Sequence, residues 1–200
     1  MSALWPSGTC WAVSYGRKAG MIVCICGIPG SGKSAILECL KARLPEWRCF
    51  RYDDYRSSGP AFAELCEGRF RWSEVGCREL EENVRTHMDM GCDILLEDPR
   101  GKASKTLGRH IDLQVCVNCR PDIAVARKAL EIQNRLGSDS AVGFLSCYLA
   151  GGYRSLDVYE REIRPLSDVD VDGTDDIERN VSRIVEVCSR RQPRLTTAST

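Results

Sequence analysis

Two histidines in 200 residues, no net charge and no long apolar run are the first limits on this chain. His87 and His110 stand far apart, and Cys116-x-x-Cys119 has no second C-x-x-C to pair with. The twelve cysteines therefore lack the spacing of a zinc site. They read instead as small, reduced, buried thiols. Lys plus Arg number 28 against 28 Asp plus Glu, so the charge gives no general attraction to nucleic acid or an anionic membrane. Neither is an expected partner. No stretch approaches the roughly 20 apolar residues a membrane helix requires. Internal repeats are absent. The opening "MSALWPSGTCWAVSYGRKAG" lacks the basic start and unbroken apolar middle of a secretory leader. Residues 1–20 are expected to be a loose extension, 21–188 one domain, 189–200 a flexible tail, and the location cytoplasmic.

What is present is an alternation of strand and helix patterns. Residues 21–26, "RCFRY" (48–52), "DILLE" (93–97), "DLQVCVN" (112–118) and "DVDVD" (168–172) read as strands. The carboxylates of the last mark it as less buried. Helical spacing runs through Ile36, Leu37, Leu40 and Leu44 after Lys33, and through Leu80, Val84 and Met88 within 73–90, where Gly91 ends the helix. A helix opened by Pro121 and Asp122 is expected to bury Val125, Ala129, Ile132 and Leu136. Further stripes join Tyr153, Leu156, Tyr159 or Glu160 and Ile163, then Ile177, Val181, Ile184, Val185 and Cys188. Strands separated by helices predict an α/β fold: a five-stranded parallel sheet covered on both faces.

Between the first strand and the first helix lies "GIPGSGKS", Gly27-Ile28-Pro29-Gly30-Ser31-Gly32-Lys33-Ser34, which fits G-x-x-x-x-G-K-[ST]. Its glycines let backbone N–H groups curl around phosphate oxygens at the positive end of the helix that follows, where Ala35 sits in the first turn. Lys33 supplies a mobile charge for the β- and γ-phosphates, and Ser34 a hydroxyl for Mg²⁺.

Two acidic spots follow strands. Asp53 and Asp54 stand after the second, where a carboxylate could take a proton from an acceptor hydroxyl, hold a Mg²⁺ water, or simply cap a turn or helix. Glu97 and Asp98 end the third, where one could orient Mg²⁺ and either could serve a strand-end turn; Arg100 follows. Arg127, Glu131 and Arg135 recur every fourth residue, as a solvated ladder or as the cations of a lid with Lys128. Segment 55–72, with Phe62, Phe70 and Trp72, is the candidate acceptor wall or plain core.

In this order, the features of residues 21–188 resemble the phosphate-loop (P-loop) small-molecule kinases, most of all the uridine-kinase-like nucleoside kinases. "GIPGSGKS" looks like their nucleotide loop, "YDDY" their catalytic aspartate segment, "LQVCVNCRPDIAVARKALEIQNR" their strand, helix and arginine-bearing lid, and "YEREIRPLSDVDVDGT" the approach to their last strand. The resemblance implies a P-loop NTPase three-layer sandwich, ATP with Mg²⁺, and a small-molecule acceptor such as a nucleoside. It further implies Asp53 or Asp54 as base, and Gly173 and Thr174 beside the adenine. The lid departs from the pattern, lacking a compact arginine-aspartate repeat followed by Arg-Gly. Two other readings compete. Asp98-Pro99-Arg100-Gly101 satisfies the D-x-x-G of a GTPase switch, although the guanine-reading Asn-Lys-x-Asp is missing. A non-catalytic module that binds ATP and regulates a partner is the other.

Overall fold

A computed structural model describes residues 20–58 and 77–191, the side chains of 56–58 excepted. The expected extension up to residue 19, the acceptor wall beyond Ser58 with Phe62, Phe70 and Trp72, residues 73–76 of the second helix and the tail beyond Arg191 lie outside the described residues.

Five strands form one sheet: β1 (Ile22–Cys26), β2 (Arg48–Arg51), β3 (Ile94–Glu97), β4 (Leu113–Asn118) and β5 (Val169–Asp172), in the order β2-β3-β1-β4-β5. Every pairing is parallel. β1 has a strand on either side and helices over both faces, which is why all five of its residues are apolar and buried. β5, at the sheet edge, alternates buried valine with exposed aspartate. The helices are α1 (Lys33–Arg43), α2 (Arg78–Asp89), α3 (Pro121–Leu136), α4 (Ser138–Cys147), α5 (Arg154–Val158) and α6 (Ile177–Arg191). None among the described residues is long and apolar enough to cross a membrane.

Strand alternation sorts the core into two layers. Val23, Ile25, Leu95, Val115 and Val171 pack with Ile36, Leu37 and Leu40 of α1 and Val181 and Ile184 of α6. Ile22, Cys24, Ile94 and Leu96 meet Leu80 and Val84 of α2 on the opposite face. Farther along that face, Cys26 and Cys116 lie under Ala124 of α3 with Tyr159 and Ile163. The result is helix, sheet, helix. At the C-terminus of α2, Gly91 (φ +75°) reverses the chain, its N–H bonding Met88 O at 2.9 Å and that of Cys92 bonding His87 O at 3.0 Å. The start of β5 is pinned by Asp168, whose carboxylate accepts from Gln114 N (2.7 Å), Lys102 Nζ (2.5 Å) and Arg191 (3.1 Å).

Two helical expectations need correction. In α3 only Ala124 is buried; Val125, Ala129 and Ile132 are half-buried, and Leu136 is 67% exposed. The helix leaves the sheet after its first turns and finds α4 as its partner instead. The sequence reading also had no helix at α4. In α6 the first residue of the expected stripe, Ile177, is 40% exposed because it precedes the part of the helix that covers the sheet.

Candidate active site

The loop from Gly27 to Gly32 joins β1 to α1 at the C-terminal edge of the sheet. Gly32 takes φ +103°, a left-handed turn into the helix that a side chain would oppose. No acidic residue lies in the first turn of α1 and no side chain caps it, so its leading N–H groups remain free to face an anion. Inside the loop, Ser31 N donates to Ile28 O at 3.1 Å, while Ser31 Oγ is buried with no partner among the described residues. A buried hydroxyl left so is a place for a phosphate oxygen. Lys33 folds back over the loop, donating from Nζ to Ile28 O at 3.0 Å. Burial draws its pKa below that of a free lysine, while the charges of Glu97 and Asp53 pull it back up. Pro29 and Ala35 are exposed at the rim.

The two carboxylates after β3 take different roles. Glu97 shares a face with Leu95, the face of α1, and Ser34 Oγ donates to its Oε1 and Oε2 at 3.1 and 3.3 Å. Arg51, at the end of β2, stands 3.4 Å from the same carboxylate. Asp98 points away. It is fully buried, and both its oxygens are held by the guanidinium of Arg100 at 2.7–3.1 Å, which also meets Glu81 at 3.4 Å and lies 5.3 Å from the ring centre of Tyr52. Of the two carboxylates the sequence left open as partners of Ser34, Glu97 is the one that meets it, while Asp98 and Arg100 face each other. Both charges are spent on each other. Arg51 and Glu81 were not singled out in the sequence. Arg51 ends its strand in register with Glu97, which only the pairing of β2 with β3 reveals.

Among the described residues no three His, Cys, Asp or Glu side chains converge on one point. Ser34 and Glu97 alone fit Mg²⁺, which takes one or two protein groups and completes its shell with phosphates and water.

Asp53 and Asp54 sit in the 3₁₀ turn Tyr52–Ser58 that leaves β2, both exposed; of the two, Asp53 is the one whose charge acts on Lys33. Arg127 donates to Gly173 O at 2.9 Å, and the backbone of Gly173 lies against the Ser31 carbonyl, so α3 and the loop after β5 meet the phosphate loop here. Thr174 turns on Asp172, donating from N and Oγ1 at 2.8 and 2.6 Å. Beside it opens a cavity of about 350 Å³ lined by Ile28, Asn118, Arg120, Tyr159 and Asp172. Arg135 does not join this group. It is exposed, meets Glu131 at 3.4 Å, and shares that carboxylate with Lys128 at 2.7 Å.

No protein-family model matches the chain, and no curated protein does. Solved structures do. A sugar kinase from Janibacter sp. HTCC2649 aligns with a TM-score of 0.56 at 16% identity, over 85% of this chain and 95% of its own. The APS kinase of Mycobacterium tuberculosis, in complex with AMPPNP and APS, aligns with a TM-score of 0.52 at 16% identity, over 86% of this chain and 98% of its own. At such identities the likeness establishes the fold alone, an α/β fold with a five-stranded parallel sheet shared with these kinase structures.

Proposed function

We propose that the protein is an ATP-dependent phosphotransferase that moves the γ-phosphate to a hydroxyl of a small molecule, with nucleosides the first acceptor class to test. One observation carries the reading: the Glu97 carboxylate is aimed at the Ser34 hydroxyl, next to Lys33 and an empty-handed Ser31 hydroxyl in the phosphate loop. That is the equipment for phosphate and Mg²⁺ together. The cavity beside Thr174 supports a nucleotide base at the same edge.

The loop N–H groups and Lys33 bind the phosphates and neutralise the charge that gathers on them in transfer. Ser34 and Glu97 would hold Mg²⁺, which would supply Lewis-acid stabilisation of the phosphate charge. Asp53 orients the acceptor hydroxyl and takes its proton, since it stands at the ligand edge of β2 within reach of the Lys33 charge. Arg127 ties α3 to the loop after β5, so closure of that helix would be felt at the phosphate loop. The GTPase reading loses its main support, because the Asp98 carboxylate that would sense a γ-phosphate is held by Arg100.

The test is ATP consumption with Mg²⁺ against nucleosides, nucleotides, sugars and cofactor precursors, with GTP as a parallel donor. Loss of ATP that depends on one acceptor class is expected, and Asp53→Asn should lower it far more than Asp54→Asn. GTP hydrolysis indifferent to every acceptor would refute the kinase reading.

A further inference from the structure

Behind the phosphate loop two thiols lie sulfur to sulfur. Cys26 is the last residue of β1, and the β1–β4 register sets it beside Cys116. Their Sγ atoms are 3.1 Å apart and neither side chain is exposed, while all ten described cysteines are free thiols. A disulfide is about 2.05 Å long, so closing this pair asks the sulfurs to approach by about 1 Å.

The neighbours treat the two sulfurs differently. Cys26 Sγ can donate to Val115 O at 3.4 Å or to Cys116. Cys116 Sγ accepts from Gln114 Nε2 at 3.6 Å, and between the two sulfurs either can donate. The hydrogen bond from Cys26 draws the Cys116 pKa down to about 6 against the opposing effect of burial, and burial pushes that of Cys26 well up. One sulfur is therefore set to be the nucleophile and the other to keep its proton. Both sulfurs are fully buried, one layer of side chains from open space. Ile28 and Tyr159, which pack on the pair, also line the cavity at the ends of β4 and β5.

We propose that Cys26 and Cys116 are a redox modification site, in which hydrogen peroxide converts the pair to a cross-strand disulfide that loosens the phosphate loop. The Cys116 thiolate attacks one peroxide oxygen and the O–O bond breaks. The sulfur becomes a sulfenic acid, and the departing hydroxide takes up the proton Cys116 had released, forming water. Cys26 sulfur then displaces the sulfenic hydroxyl, which leaves as a second water with the Cys26 proton. Two thiols lose two electrons, and one peroxide gains them. The loop follows because Gly27, just after β1, and Val117, next on β4, pass so closely that no side chain fits at 27: a Cβ there would stand 2.6 Å from Val117 O and 2.7 Å from Ser31 Oγ. Drawing the strands together forces the Gly27 backbone aside and Ser31 with it.

The full chain, treated with hydrogen peroxide, alkylated after denaturation and digested without reductant, should give a Cys26–Cys116 cross-linked peptide that dithiothreitol dissolves. Cys116→Ser, and independently Cys26→Ser, should abolish it. In wild type the oxidised form should bind ATP at least about tenfold more weakly, with recovery on reduction; either serine variant should bind alike before and after peroxide. Alkylation of both thiols at a peroxide dose that oxidises the half-buried Cys39 or Cys147 would overturn the site. A cross-link with unchanged ATP affinity would overturn its coupling to the loop. The affinity arm rests on the proposed nucleotide binding. Failure of the reduced protein to bind ATP would count against that function, while the cross-link alone would still decide the thiol pair.

Discussion

Around the phosphate loop nearly every neighbour is backbone or buried side chain: Val117 O against Gly27, Gly173 against Ser31, Asp98 and Arg100 sealed behind Glu97. In the α3–α4 hairpin the reverse holds. Leu130, Leu136 and Val142 are 58%, 67% and 62% exposed, and Glu131 and Arg135 pair at the surface. The contrast fits what the proposed function would ask of each. Charges that stabilise a transferring phosphate act only if fixed beforehand, so they are built into close-packed core. A segment with few buried contacts opens at small cost, which suits a lid. The largest test of this contrast is Lys33→Ala. It should lower turnover by at least about 10²–10³-fold, while the circular dichroism spectrum and melting temperature stay near wild type. Near-normal ATP consumption would mean the loop is not where the chemistry occurs.

The adjacent carboxylates sharpen the comparison within the core itself. Asp98→Asn strips the charge from a fully buried partner of Arg100, and denaturant titration should show a loss of about 3–5 kcal/mol. Glu97→Gln should instead keep stability and lower Mg²⁺-dependent turnover by about 10²-fold, with more Mg²⁺ needed for half-maximal rate. If the two variants traded places, the assignment of metal to Glu97 and of structure to Asp98 would be reversed.

These residues also mark where the sequence stops being legible. The strands and the loop needed no tertiary context: the apolar runs of β1, β3 and β4, the alternation of β5 and G-x-x-x-x-G-K-S carry their meaning locally. Choosing between Glu97 and Asp98 required knowing which face of β3 α1 covers, and "ILL" is equally apolar on both. The stripe of Val125, Ala129, Ile132 and Leu136 has helical spacing, and the helix formed. Spacing cannot say whether a sheet lies beneath it, and past the first turns none does. α4 escaped notice because "SDSAVGFLSC" is rich in serine and carries Gly143, weak helix formers that tertiary contact overrides.

A smaller effect is expected at the clamp on β5. Burial raises the pKa of Asp168, but Gln114 N–H, Lys102 and Arg191 outweigh it and leave it below the usual aspartate value. A carboxylate held low in the folded state contributes stability that is full above the unfolded pKa and lost as pH falls through the folded one. Asp168→Asn should therefore cost about 1–2 kcal/mol near neutral pH, after allowance for solvent screening of its exposed partners. The gap from wild type should close as pH drops below about 4. A gap that stays constant with pH would assign the loss to packing rather than charge.

The smallest effects should come from the hairpin. Leu130→Ser and Leu136→Ser each remove an exposed apolar side chain, and thermal or denaturant unfolding should move by no more than about 0.5 kcal/mol. Leu37→Ala, in the core beneath the phosphate loop, should cost about 2–5 kcal/mol. The arginines extend the same logic to activity. Arg127 reaches Gly173 and so the loop, whereas Arg135, among the described residues, reaches Glu131 on its own helix. Arg127→Ala should therefore lower kcat measurably, and Arg135→Ala should leave it within twofold of wild type, about 0.4 kcal/mol. If the hairpin leucines cost as much as Leu37, that hairpin is held as firmly as the core and cannot serve as a low-cost lid; if Arg135 mattered as much as Arg127, closure would have to carry the far end of α3 onto the phosphates.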